Sequence, residues 1–123
     1  MLQKFIPILL AVPFVWACGA SMPEPKQPLA DAESASRSAR ELGADAQPAA
    51  KLYARLANEQ IGDAKALIAQ DEHERATYVL VRARADAELA VALAREQNAL
   101  VAKKKAVDES STTLTANVKG AQL

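Results

Sequence analysis

The chain has 123 residues with 15 basic and 15 acidic side chains, so its formal net charge is zero, and only 4% of its residues are aromatic. That balance excludes the electrostatic footprint expected of a nucleic-acid binder or of a protein with a polycationic partner. The length allows one folded domain, and with alanine as the dominant apolar residue its core buries little surface per side chain.

The first element is a leader over residues 1–17. Lys4 supplies a positive charge, Phe5 to Val15 an apolar stretch, and Ala17 and Gly19 the small residues around a processing point, which are the parts of a secretory signal. The stretch is shorter than the roughly 20 residues a helix needs to cross a bilayer, and Pro7 and Pro13 weaken it further as a spanning helix. Cys18, the one cysteine, follows at once in the run Val15-Trp16-Ala17-Cys18-Gly19. This run resembles the lipobox of bacterial lipoproteins, with Val15 as the aliphatic residue three places before the cysteine and Ala17 as the small residue before it. Trp16 is bulkier than the middle residue of that pattern. The resemblance implies acyl chains on Cys18. Gly19-Ala20, in place of an inner-membrane-retaining aspartate, implies an outer-membrane anchor facing the periplasm. At about 0.8 kcal/mol per buried methylene, two or more chains anchor durably where one does not. The alternative is a plain secretory signal cut elsewhere, leaving a free thiol or an intermolecular disulfide.

Residues 18–27 form the expected tether. Pro23, Pro25 and Pro28 predict an extended spacer over Ser21–Pro28, able to hold the folded part roughly 25 to 30 Å from the bilayer. Residues 28–118 predict an α-helical domain, followed by a flexible tail at 119–123. The first helix runs from Pro28 to Leu42, with Gly43 suited to a left-handed stop and Ala32, Ala35, Ala39 and Leu42 on one face. The second runs from Pro48 to Ala69 with the stripe Ala50, Ala54, Ala57, Ile61, Ala64 and Ile68. Gly62 within it costs about 1 kcal/mol relative to alanine, which a closely pressed partner helix would offset. The third starts at Asp71 as N-cap, with Glu74 completing a capping box. Its stripe is Ala76, Leu80, Ala83, Ala87, Ala90 and Ala94, in the same alternation of four and three.

With only a short link at Gln70, the second and third helices become antiparallel neighbours. The expected fold class is all-α: a small alanine-rich three-helix bundle, or a helical hairpin with one long C-terminal helix, after a lipoprotein signal. The second helix covers roughly 30 Å, whereas the third extends nearly 60 Å to Glu109. Cover therefore ends near Ala92 or Ala94. Leu93, Leu100, Val107 and Leu114 form a second stripe at heptad spacing, and beyond the covered part Leu100, Val107 and Leu114 have no partner within the chain. Either this overhang packs against a second copy or an envelope protein, or it is a fraying helix with scattered exposed apolar residues. The run Ser110-Ser111-Thr112-Thr113 lowers helix propensity and predicts fraying from there onward.

The segment Val81-Arg82-Ala83-Arg84-Ala85-Asp86-Ala87-Glu88-Leu89-Ala90-Val91-Ala92, with the alanine-stepped helices and the lipobox, resembles the bacterial domain-of-unknown-function family 4398 over roughly Ala30 to Glu96. Its members are envelope lipoproteins, some with an added peptidoglycan-binding domain for which this chain has no room. The resemblance supplies no catalytic residues. Against the murein lipoproteins, which attach to the wall through a terminal lysine, the chain reads Lys119-Gly120-Ala121-Gln122-Leu123, so covalent wall attachment is not expected.

No catalytic, cofactor or metal site is expected. His73 lies among Asp71, Glu72 and Glu74, but adjacent helical positions diverge and no second histidine or cysteine completes a ligand set, so it reads as an exposed first-turn residue. Asp86 and Glu88 are two apart, the wrong spacing for an acid/base pair. Lys103-Lys104-Lys105 reads as a solubilising run, or as a weak contact with peptidoglycan or lipid headgroups. The functional expectation is a lipid-tethered structural, scaffold or accessory protein of the cell envelope. The alternative is a small binding or carrier module for an apolar ligand or cell-wall polymer.

Overall fold

The computed structural model describes residues 22–121. Its elements are α1 (Lys26–Glu41), a 3-10 turn (Ala44–Ala46), α2 (Pro48–Ile68) and α3 (His73–Gly120), and no strand occurs among the described residues. This is the all-α bundle with a long C-terminal helix that the periodicity predicts.

The first helix begins at Lys26, two residues before Pro28, so Lys26, Gln27 and Pro28 belong to α1 and not to an extended spacer. Pro28 falls in the first turn, where its missing N–H costs nothing because the first four N–H groups of a helix have no internal acceptor. The Leu29 N–H makes the opening bond, to the Pro25 carbonyl at 3.1 Å, and Pro25 itself is buried. The helix stops where Gly43 takes φ +82°, a left-handed conformation that glycine adopts without steric cost. Pro48 opens α2 at its first position, as expected.

The turn between α2 and α3 corrects the expected capping box. Asp71 has φ +58° and closes α2: its N–H bonds the Ile68 carbonyl at 3.0 Å, and the next N–H, of Glu72, reaches Leu67 at 3.0 Å. These paired bonds are a Schellman closure with aspartate in the left-handed position, where a short polar side chain is tolerated. An N-cap residue needs extended φ/ψ, so Asp71 cannot serve as one, and α3 starts at His73 after Glu72 with no side-chain cap.

Packing follows the alanine stripes. Ala50, Ala54, Ala57, Ile61 and Ala64 of α2 and Ala76, Leu80, Ala83, Ala87, Ala90 and Ala94 of α3 are all buried, while Ile68 is half-buried. On α1 the face differs by one position: Ser36 is buried and Ala35 only half so, because the Ser36 hydroxyl donates to Asn58 Oδ1 at 2.7 Å across the helix pair. One cluster joins Ala39, Ala44, Ala50 and Ala54 to Ala90 and Ala94, and the other joins Ala32, Ile61 and Ala64 to Leu80 and Ala83. These pairings make α2 antiparallel to α3 and α1 parallel to it. Between the clusters lies a polar layer, Ser36–Asn58 on one side and Gln60 Nε2 donating to Asp86 Oδ2 at 2.7 Å on the other. Among the buried core hydrophobics of the described residues only Ile61 and Leu80 are larger than alanine, so the fold depends on close approach of backbones more than on bulky side chains. Gly62 does not mark such an approach: it is exposed, and a Cβ built there meets nothing within 4 Å.

Candidate functional site: an uncovered helix and a docked N-terminal segment

Cover of α3 ends at Ala94, and every described residue from Arg95 onward is exposed. Continuing the buried four-three rhythm past Ala94 gives Gln97, Val101, Lys104, Asp108, Ser111, Thr115 and Val118, a mostly polar line. The stripe therefore loses its apolar character where α1 and α2 end. Asn98 marks the border, its Nδ2 donating to the Leu42 carbonyl at 3.1 Å.

Beyond the border, Leu100, Val107 and Leu114 are 54%, 56% and 65% exposed, as the length argument requires, and Val101 and Val118 join them as uncovered apolar residues. Leu93, the first member of the heptad stripe, is half-buried against the cluster that holds Ala90 and Ala94 and so belongs to the bundle. The expected fraying at Ser110 does not occur. The helix runs on to Gly120, so Lys119 and Gly120 belong to it and not to a flexible tail. The hydroxyls of Ser110, Ser111, Thr112, Thr113 and Thr115 fold back onto carbonyls three or four residues earlier, at 2.7 to 2.9 Å. This back-bonding satisfies the hydroxyls within the helix, although it stabilises the backbone little. At 48 residues α3 is about 72 Å long, of which roughly 39 Å, from Arg95 to Gly120, stands free of the bundle.

The segment entering the bundle is docked at the opposite end of α3. The Met22 carbonyl lies 2.7 Å from His73 Nδ1, and His73 Nε2 is 3.8 Å from Asp71 Oδ1. His73 is thereby half-buried rather than the exposed residue its position predicts. With Nδ1 against a carbonyl, that nitrogen carries the proton. No cluster of three or more metal-ligating side chains occurs among the described residues.

Asp86 and Glu88 diverge as their spacing requires: Asp86 faces Gln60 of α2, and Glu88 accepts from Arg84 Nε at 2.7 Å. Arg84 also donates to Asp31 of α1 at 3.1 Å. The hydrogen bond that Arg84 donates to Glu88, then the charges of Glu88 and Asp31, raise the Arg84 guanidinium above its ordinary pKa. Within the lysine run, Lys105 approaches Glu109 at 3.8 Å, and all three lysines are exposed. Cys18 and its flanking residues lie outside the described residues, and no described helix is long and apolar enough to cross a membrane.

Compared with known proteins, the chain matches no family model, no curated protein and no solved structure.

Proposed function

We propose that this chain is a lipid-anchored periplasmic protein of the outer membrane that acts as a scaffold or accessory interaction protein of the cell envelope. In this reading acyl chains on Cys18 are the anchor and the uncovered part of α3 is the contact segment. The observation that carries it is the separation of the two ends. Met22 enters at the α2–α3 turn through its bond to His73, while Leu100, Val107 and Leu114 are uncovered at the far end of the same helix. Cys18 precedes Met22 by four residues, which span at most about 14 Å, so an anchor at Cys18 keeps the turn end near the bilayer. The overhang then reaches away from the membrane towards whatever it contacts, either a second copy or another envelope protein.

Mass measurement of the protein from its native envelope tests the anchor, with a mature start at Cys18 carrying diacylglyceryl and amide-linked acyl groups as the expected result. An unmodified thiol, or a start elsewhere, sinks this reading. Sedimentation of the acyl-free chain tests the contact segment: association weakened by Leu100→Asp supports self-contact. A monomer unaffected by the change moves the contact to another protein, to be captured by cross-linking from position 107. The carrier alternative has less support, because alanine seams favour close approach of the helices over an apolar chamber between them.

A further inference from the structure

The two helices that touch each other least are α1 and α2, and between them lies an open furrow of about 250 Å³. One wall carries Glu33, Arg37 and Arg40 from α1, and the other carries Lys65 from α2. Ser36 and Asn58 lie in its floor. Three cations thus line a furrow with one carboxylate, in a chain whose overall charge is zero.

The single carboxylate is already engaged. Glu33 stands four residues before Arg37, the favourable order for a pair within a helix, yet it binds Lys65 Nζ across the furrow at 2.7 Å. Arg37 and Arg40 have no carboxylate within 4 Å among the described residues. Like charges three apart repel on a helix surface, and only Arg40, in the last turn, gains from the negative end of the α1 dipole. Arg37 has no such compensation. Beside Ile61, the floor holds a fixed polar pair: Ser36, 1% exposed, donates to Asn58 Oδ1, and Asn58 Nδ2 donates to the Ala54 carbonyl at 2.8 Å. Arg37 and Arg40 thus bring two guanidinium forks without carboxylate partners to one wall, while the Lys65 ammonium on the other is held by Glu33. Two unpaired cations match the charge of a phosphate, which carries more than one negative charge, better than that of a single carboxylate, and guanidinium forks bind phosphate oxygens in pairs.

From this geometry we infer that the α1–α2 furrow binds a phosphate group through Arg37 and Arg40. Two sources share that chemistry, a soluble phosphate and a phospholipid headgroup. The inference does not depend on acylation of Cys18.

The test uses the full chain with Cys18→Ser, so that no acyl chain contributes. In one arm inorganic phosphate is titrated at constant ionic strength, and the side-chain Nε signals of the arginines are followed by NMR. Saturable shifts at Arg37 and Arg40 are expected, with apparent affinity weakened at least tenfold in R37Q/R40Q and unchanged in R82Q/R95Q. In the second arm, binding to phosphatidylglycerol vesicles is compared with binding to phosphatidylcholine vesicles. A preference for the anionic vesicles that R37Q/R40Q abolishes assigns the site to headgroups, whereas phosphate binding without that preference assigns it to a soluble ligand. Absence of saturation in both arms, or equal weakening by the two double variants, overturns the proposal. Circular dichroism of R37Q/R40Q confirms that the exposed substitutions leave the bundle intact, and R37Q alone provides a milder second variant.

Discussion

The two halves of α3 share one continuous helix, yet they have opposite fates. From Ala76 to Ala94 each step of four or three lands on a buried residue, and from Arg95 to Gly120 none does. Helix formation is thus separable from burial here. The first half is held by neighbours, whereas the second has only its internal hydrogen bonds and side-chain propensities, which leave isolated helices marginal in water. Local opening should accordingly be much easier beyond the border near Asn98 than below it.

The largest effect that sharpens this contrast is Leu80→Ala. Leu80 is the largest fully buried side chain among the described residues, and its truncation should cost about 2 to 5 kcal/mol in urea unfolding. A smaller loss would mean that the alanine seams collapse into the space. Overpacking probes the same region from the other direction: Ala83→Leu, at a position with no exposed surface, should destabilise by about 1 to 3 kcal/mol. Gly62→Ala should have the opposite sign, adding roughly 0.5 to 1 kcal/mol, because the site is helical, open and uncontacted. A loss of thermal stability there would reveal a packing role for the bare backbone. The weakest effects belong to the overhang. Leu100→Ala, or ending the chain after Ala99, should shift unfolding of the monomer by no more than about 0.5 kcal/mol, while the shortened chain loses ellipticity in proportion to the helix removed. If truncation instead lowers bundle stability by several kilocalories, the two halves are not independent and the comparison fails.

Most of the fold is legible in the residue pattern because alanine stripes on α2 and α3 leave little ambiguity about which face is inside. The misreadings occur where a polar residue takes an unexpected role. Ser36 is buried because Asn58 offers its hydroxyl a partner, a long-range pairing that helical period does not encode. Asp71 has the composition of an N-cap but finishes the preceding helix, since both capping motifs favour the same short polar side chains and only φ tells them apart. The hydroxyl-rich run from Ser110 reads as a helix end by propensity, yet the structure keeps it helical. The uncovered segment was accessible by length alone: two helices of unequal span cannot cover each other throughout. Docking of Met22 on His73, by contrast, has no signal in the sequence, because it joins residues 51 apart through a backbone carbonyl. The α1–α2 furrow was equally hidden, since it arises from which helices pack least.

The polar layer between the two alanine clusters also bears on alignment along the bundle axis. Rows such as Ala50, Ala57, Ala64 and Ala76, Ala83, Ala90 repeat every seven residues, so a shift of one row past the other by two turns, about 10.5 Å, would set alanine on alanine again at many places. Ser36 against Asn58 and Gln60 against Asp86 have no equivalents one repeat away: seven residues on from Ser36 is Gly43, and from Asp86 is Leu93. Sliding would strand these polar groups, and the pairs therefore act as a detent that stops otherwise interchangeable helices at a single setting.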